Sequence, residues 1–126
     1  MSRWVGEYLD VFAACCRGER DTAALLEYFG VPLLLTTGGG YFALTTEEMV
    51  VAGLRPQVDQ MRAAGYARSE IVGAEVSVLN ASSALFHGKI SRQRDDGSEI
   101  SLLVATYLVT DGPAGRRFSV LAVQSS

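Results

Sequence analysis

The chain has 126 residues, 48% of them hydrophobic and 20% charged, with a formal net charge of −3. This is the size and composition of one globular domain with a real core, and it excludes a disordered segment. There is no basic surplus for a nucleic-acid backbone, and no apolar run approaches the ~20 residues that span a bilayer.

Arg3, Glu7 and Asp10 interrupt the first fifteen residues, so no signal-peptide core is expected. The two cysteines, Cys15 and Cys16, are adjacent and form no disulfide framework, which points to a reducing cytoplasm. One histidine and no spaced Cys/His set argue against a structural metal, and no cofactor is expected. A composition rich in Gly and Ala, with Lys89 the single lysine, suggests a bacterial source.

In chain order, Trp4, Tyr8, Phe12 and Cys15 or Cys16 recur every three to four residues, and Val5, Leu9 and Ala13 widen the stripe. The spacing predicts an amphipathic helix from Ser2 to about Arg17, stopped by Gly18. Asp21 is placed to cap a second helix over Thr22–Phe29, ended by Gly30. Val31–Leu35 reads as a buried strand, Gly38–Gly40 as a turn rather than a phosphate loop, and Tyr41–Leu44 as the return strand. Thr45 with Glu48 forms a capping box for a third helix, Thr46 to about Ala64, which Pro56 should kink. After Gly65 the period changes to two. Strands are predicted over Val72–Val78, Ala84–Ser91, Ile100–Thr110 and Arg117–Gln124, with a hairpin turn at Asp95–Gly97.

Helices first and strands afterwards indicate an α+β domain over residues 1–126, with three N-terminal helices and a short hairpin packed on a curved antiparallel sheet. The last two strands are apolar on both sides. Helices cover one face only, so a homodimer through the outer sheet face is expected, with Tyr107 on that face. Alternation sets Phe86 inward and His87 and Glu75 outward, with Arg92, Arg94, Asp95 and Asp96 at an exposed hairpin tip.

Several segments carry a resemblance: the junction Ala13–Leu26 with its small-residue helix end and Ala-Leu-Leu run, Leu33–Gly39 after it, and the pair Thr106–Gly112 with Arg117–Val120. In these the chain resembles the NTF2-like superfamily, the cone-shaped fold shared by ketosteroid isomerase-like and SnoaL-like proteins, also called cystatin-like. The resemblance implies a sheet wrapped by three helices around a conical cavity open to small molecules. It also implies a range of roles: isomerases, dehydratases, epoxide hydrolases, cyclases, and proteins that only bind or assemble. Fold alone does not choose among them.

Isomerase-like members place an aspartate base at the end of the first strand, where this chain has Leu35, Thr36 and Thr37. Their protonated aspartate on the penultimate strand corresponds to Thr106, and their first-helix tyrosine to Val11, one turn after Tyr8. The usual acid–base residues are absent from these positions. The expected function is therefore the binding of a small apolar molecule in the cone. Two alternatives stay open: an isomerase-, dehydratase- or cyclase-type enzyme using hydroxyls and shape, and an assembly module with a filled cone. The aromatic set Trp4, Tyr8, Phe12, Phe29, Phe42, Phe86 and Phe118 fits either an open or a filled interior. Tyr8, Phe12, Cys15, Thr36, Tyr41, Phe86, Val104, Thr106 and Phe118 are the expected pocket-lining residues, with Tyr8, Thr36 and Thr106 as polar anchors. Cys15 and Cys16 lack a nearby base and are read as small core residues.

Overall fold

A computed structural model describes residues 1–124. Helix α1 (Ser2–Cys16) is followed by a 3-10 helix (Thr22–Glu27), strands β1 (Phe29–Thr37) and β2 (Gly40–Leu44), helix α2 (Glu47–Ala63), and strands β3 (Tyr66–Asn80), β4 (Ser83–Arg94), β5 (Glu99–Gly112) and β6 (Gly115–Gln124). The six strands form one sheet in the order β2-β1-β6-β5-β4-β3. All neighbours are antiparallel except β1 and β6, which run parallel. The helices lie against the inner face, as the segregated sequence pattern predicts. No helix among the described residues is long and apolar enough to cross a membrane.

Three local expectations are corrected. The second helix is a 3-10 segment, and Asp21 makes no side-chain capping bond to it. Phe29 already belongs to β1, pulled into the sheet by pairing with Phe118. The cap of α2 is Thr46, not Thr45: its hydroxyl accepts from the Met49 amide at 3.1 Å, placing Glu47 and Glu48 in the first turn, where the helix dipole favours them.

The α1 stripe buries Val5, Tyr8, Leu9, Phe12, Ala13, Cys15 and Cys16. The Arg62 side chain on α2 closes the far end of α1 by donating to the carbonyls of Cys15 (2.9 Å) and Cys16 (3.2 Å). The Cys15 carbonyl also accepts from the Gly18 amide at 3.1 Å, and a cation at this end of the helix complements its dipole. Phe29, Leu33, Phe86, Ile90, Tyr107 and Phe118 complete the core from the sheet.

The faces of β5 are the reverse of those expected. Val104 and Thr106 lie on the outer face, whereas Ala105, Tyr107 and Val109 are buried against α1. A bulge causes this. Gln93 pairs with Glu99, but Arg92 pairs with Ser101, so β5 carries one extra residue beside the hairpin turn. Counting outward from the turn without it sets Phe86 against Thr106; with it, Phe86 meets Tyr107. A one-residue slip exchanges every side chain between faces. Tyr107, at 1% exposure, is a core residue and not an outer-face contact.

Phe118 is fully buried among Trp4, Tyr8, Phe29 and Tyr107, with ring centroids 4.5–5.2 Å away. Phe118→Ala should cost about 3–5 kcal/mol of stability in denaturant unfolding. Tyr41→Ala, at an exposed edge, should stay within about 0.5 kcal/mol of the parent.

Candidate functional site

The inner face of the cone is lined by aromatic rings. Tyr8 alone lies near Phe12, Tyr28, Phe29, Tyr107 and Phe118, at centroid distances of 5.0–6.5 Å and mostly edge-to-face. Phe86 adds to this wall, 6.2 Å from Tyr107. Gly88 allows that placement: a Cβ there would come within 2.7 Å of the Phe86 ring.

Of the expected pocket residues, the structure brings Tyr8, Phe12, Phe86 and Phe118 together in this interior. Cys15 is buried as well, but its Sγ donates to the Asp21 carbonyl at 3.4 Å, toward the loop before the 3-10 helix. Thr36, Val104 and Thr106 are not in the cone. Register sets His87, Thr106, Ala122 and Thr36 in one cross-strand row on the outer face, with Tyr41 of β2 at its end. His87 Nδ1 and the Thr106 hydroxyl share a hydrogen bond of 2.7 Å there. Tyr41 is 74% exposed and Phe42 51%, so neither lines the interior.

One charged side chain is buried among the described residues, and it was expected at an exposed tip: Arg92, 9% exposed. It stands on the inner face of β4, two residues beyond Ile90 in the alternation that begins at Phe86 and Gly88. Its guanidinium carbon sits 5.7 Å from the centre of the Phe12 ring, a cation–π contact contributing about 0.5–2 kcal/mol. That alternation was the signal in the sequence. The charge pattern Arg92-Gln93-Arg94-Asp95-Asp96 masked it by resembling a solvated turn. Arg94 departs from that reading too: it is half-buried, and its Nε donates to the Ala64 carbonyl at 2.9 Å.

The groups around Arg92 are uncharged. Burial holds the Tyr107 hydroxyl at a pKa of about 12 and the Tyr8 hydroxyl well above its ordinary range, with the positive charge of Arg92 opposing the rise in both. Burial likewise raises the Cys16 thiol to about 12 and lifts Tyr66, whose hydroxyl is hydrogen-bonded to Ser69 Oγ. At neutral pH the interior therefore offers neutral hydroxyls and one guanidinium. The other polar side chains buried among the described residues are Thr22 and Ser91, so the set contains no carboxylate. No group of three or more His, Cys, Asp or Glu residues among the described residues is placed to hold a metal ion.

Such an arrangement, a curved antiparallel sheet closed by an aromatic first helix, defines a class of protein: the NTF2-like, cystatin-like cone. Residues 1–126 match the family described as NTF2-like protein (DUF6841), and the chain belongs to it. Solved structures agree at the level of fold. An NTF-2-like protein of unknown function from Shewanella oneidensis is 15% identical with a TM-score of 0.68, covering 96% of each chain. A cystatin-like protein of unknown function from Nostoc punctiforme is also 15% identical with a TM-score of 0.68, covering 94% of this chain and 86% of that one. A candidate ketosteroid isomerase from Shewanella frigidimarina is 12% identical with a TM-score of 0.66, covering 94% and 93%. No curated protein matches the chain significantly in sequence.

The raised Tyr107 pKa makes a pH prediction. Between pH 10 and about 12 the unfolded chain loses this proton while the folded one keeps it, so stability present below pH 10 declines over that window. The decline due to Tyr107 should be about 2–3 kcal/mol, and Tyr107→Phe should remove that part of it in denaturant titrations across this range. The Cys16 thiol should resist iodoacetamide at pH 8 in the folded protein and react after denaturation.

Proposed function

We propose that this protein binds a small, mainly apolar molecule inside the cone and acts without the aspartate acid–base pair of isomerase-like members. One observation carries the reading. The rings of Tyr8 and Tyr107 stand in the aromatic interior, and their hydroxyls stay protonated, make no hydrogen bond among the described residues and are not fully enclosed. Apolar walls with a few convergent donors are the usual composition of a ligand site. Of the three hydroxyl anchors expected from the sequence, only Tyr8 remains inside, because Thr36 and Thr106 stand on the outer face. The two free, buried thiols suit a reducing bacterial cytoplasm.

A second reading, an assembly module with a filled cone, draws on the close ring contacts. Among the described residues, five of the surface clefts hold about 280–480 Å³, and none of these five is lined by Tyr8, Phe12, Phe86 or Phe118. The two readings part on ligand-induced stabilisation. A ligand at about a hundred times its Kd should raise Tm by roughly 5–15 °C. Native mass spectra of the fresh protein should show an adduct that leaves on denaturation. An unchanged Tm across an apolar ligand panel, with a clean native mass, would favour the filled cone.

In both readings the protein is a homodimer through the outer sheet face. Leu85, Leu108, Val120 and Leu34 form an apolar row across four strands there, and the helices lie on the opposite side of the sheet. Leu108→Glu should yield a folded monomer by light scattering; a persistent dimer would exclude this face.

A further inference from the structure

Arg92 is set apart from the other arginines by what its N–H groups do. Arg17 and Arg116 donate to the carboxylates of Glu19 and Asp111, and Arg20 pairs with Glu27. Arg62 and Arg94 bond backbone carbonyls. Arg55 and Arg68 are exposed to water. Arg92 is the most enclosed of them, yet among the described residues it has neither a hydrogen-bond acceptor nor a carboxylate within ion-pair distance. The guanidinium carbon lies over the Phe12 ring, 5.7 Å from its centre, a contact that uses none of the N–H donors. Among the described residues no fully enclosed side-chain nitrogen or oxygen lacks a partner, so the unpaired nitrogens of Arg92 still reach water-sized space.

We propose that the cone is built for a small apolar molecule that carries a carboxylate, with the N–H edge of Arg92 taking the two carboxylate oxygens and the rest of the molecule lying against the aromatic wall. The inference rests on the binding reading above and narrows its ligand class. A planar carboxylate matches the guanidinium fork in two parallel hydrogen bonds, a geometry that a lysine or a neutral amide cannot reproduce. A carboxylate would replace the water these nitrogens still reach with charge-assisted bonds, and the surroundings discriminate in the same direction. The buried residues hold no carboxylate to compete for Arg92 or repel an anion, and the neutral hydroxyls of Tyr8 and Tyr107 are further donors.

The test pairs each acid with its uncharged amide: benzoate with benzamide, phenylacetate with phenylacetamide, cyclohexanecarboxylate with its carboxamide. Affinities are read by calorimetry and thermal shift on the full chain, with phosphate as a further probe. The acids should bind at least tenfold more tightly than their amides. Arg92→Gln should abolish that preference while leaving amide affinity within twofold, and Arg92→Lys should restore only part of it. Far-ultraviolet circular dichroism and Tm establish that both variants fold; should Arg92→Gln fail to fold, Arg92→Lys and the wild-type acid–amide ratio decide. Equal binding of acids and amides by wild type, or an acid preference that survives Arg92→Gln, would overturn the carboxylate assignment and leave the binding reading intact. Phosphate binding as tightly as the acids would also overturn it, showing a general anion site. Binding of no probe at all would overturn both.

Discussion

The burial of the α1 aromatic stripe against the sheet is the contact on which the architecture depends, and Tyr8 is its centre. Its ring meets side chains from α1 itself, from the end of the 3-10 helix, and from β1, β5 and β6. Edge-to-face pairs of this kind add about 0.5–1.5 kcal/mol each beyond the area they bury. They also fix relative orientation, which aliphatic contacts do less well. The sheet bends round this helix, and the interior is what lies between them.

Much of this was legible in the sequence. The three-to-four-residue spacing of Trp4, Tyr8 and Phe12 gave α1, and the switch to alternation after Gly65 gave the meander. What stayed hidden was register. Strand boundaries follow from composition, but an extra residue opposite Arg92 follows only from how two backbones meet. That single residue moved Val104 and Thr106 out of the site and Tyr107 into it. Arg92 was concealed for a related reason: its neighbours in sequence are turn-like, whereas its neighbours in space are Phe12 and the strand residues Ser69 and Ser101.

The two faces of the sheet now carry different chemistry. Outside, an apolar row lies beside a row of small hydroxyl residues and the single histidine, a surface suited to flat protein contact. Inside, desolvation keeps every tyrosine and thiol neutral, so the one guanidinium acts in surroundings of low polarity, where a charge is felt strongly.

The strand order has a consequence for how the chain comes to be folded. β6 lies between β1 and β5, and its pairing with β1 is the parallel one. The first hairpin, β1 with β2, therefore has no neighbour in the sheet until residues 115–124 have been synthesised. Emerging from the ribosome, α1 can meet the 3-10 helix, α2 and β3 early, but the free edge of β1 must wait while some eighty residues follow the hairpin. Closing so long a loop is slow. Closure of the sheet is thus expected only after synthesis of β6, in a step that docks β6 against β1.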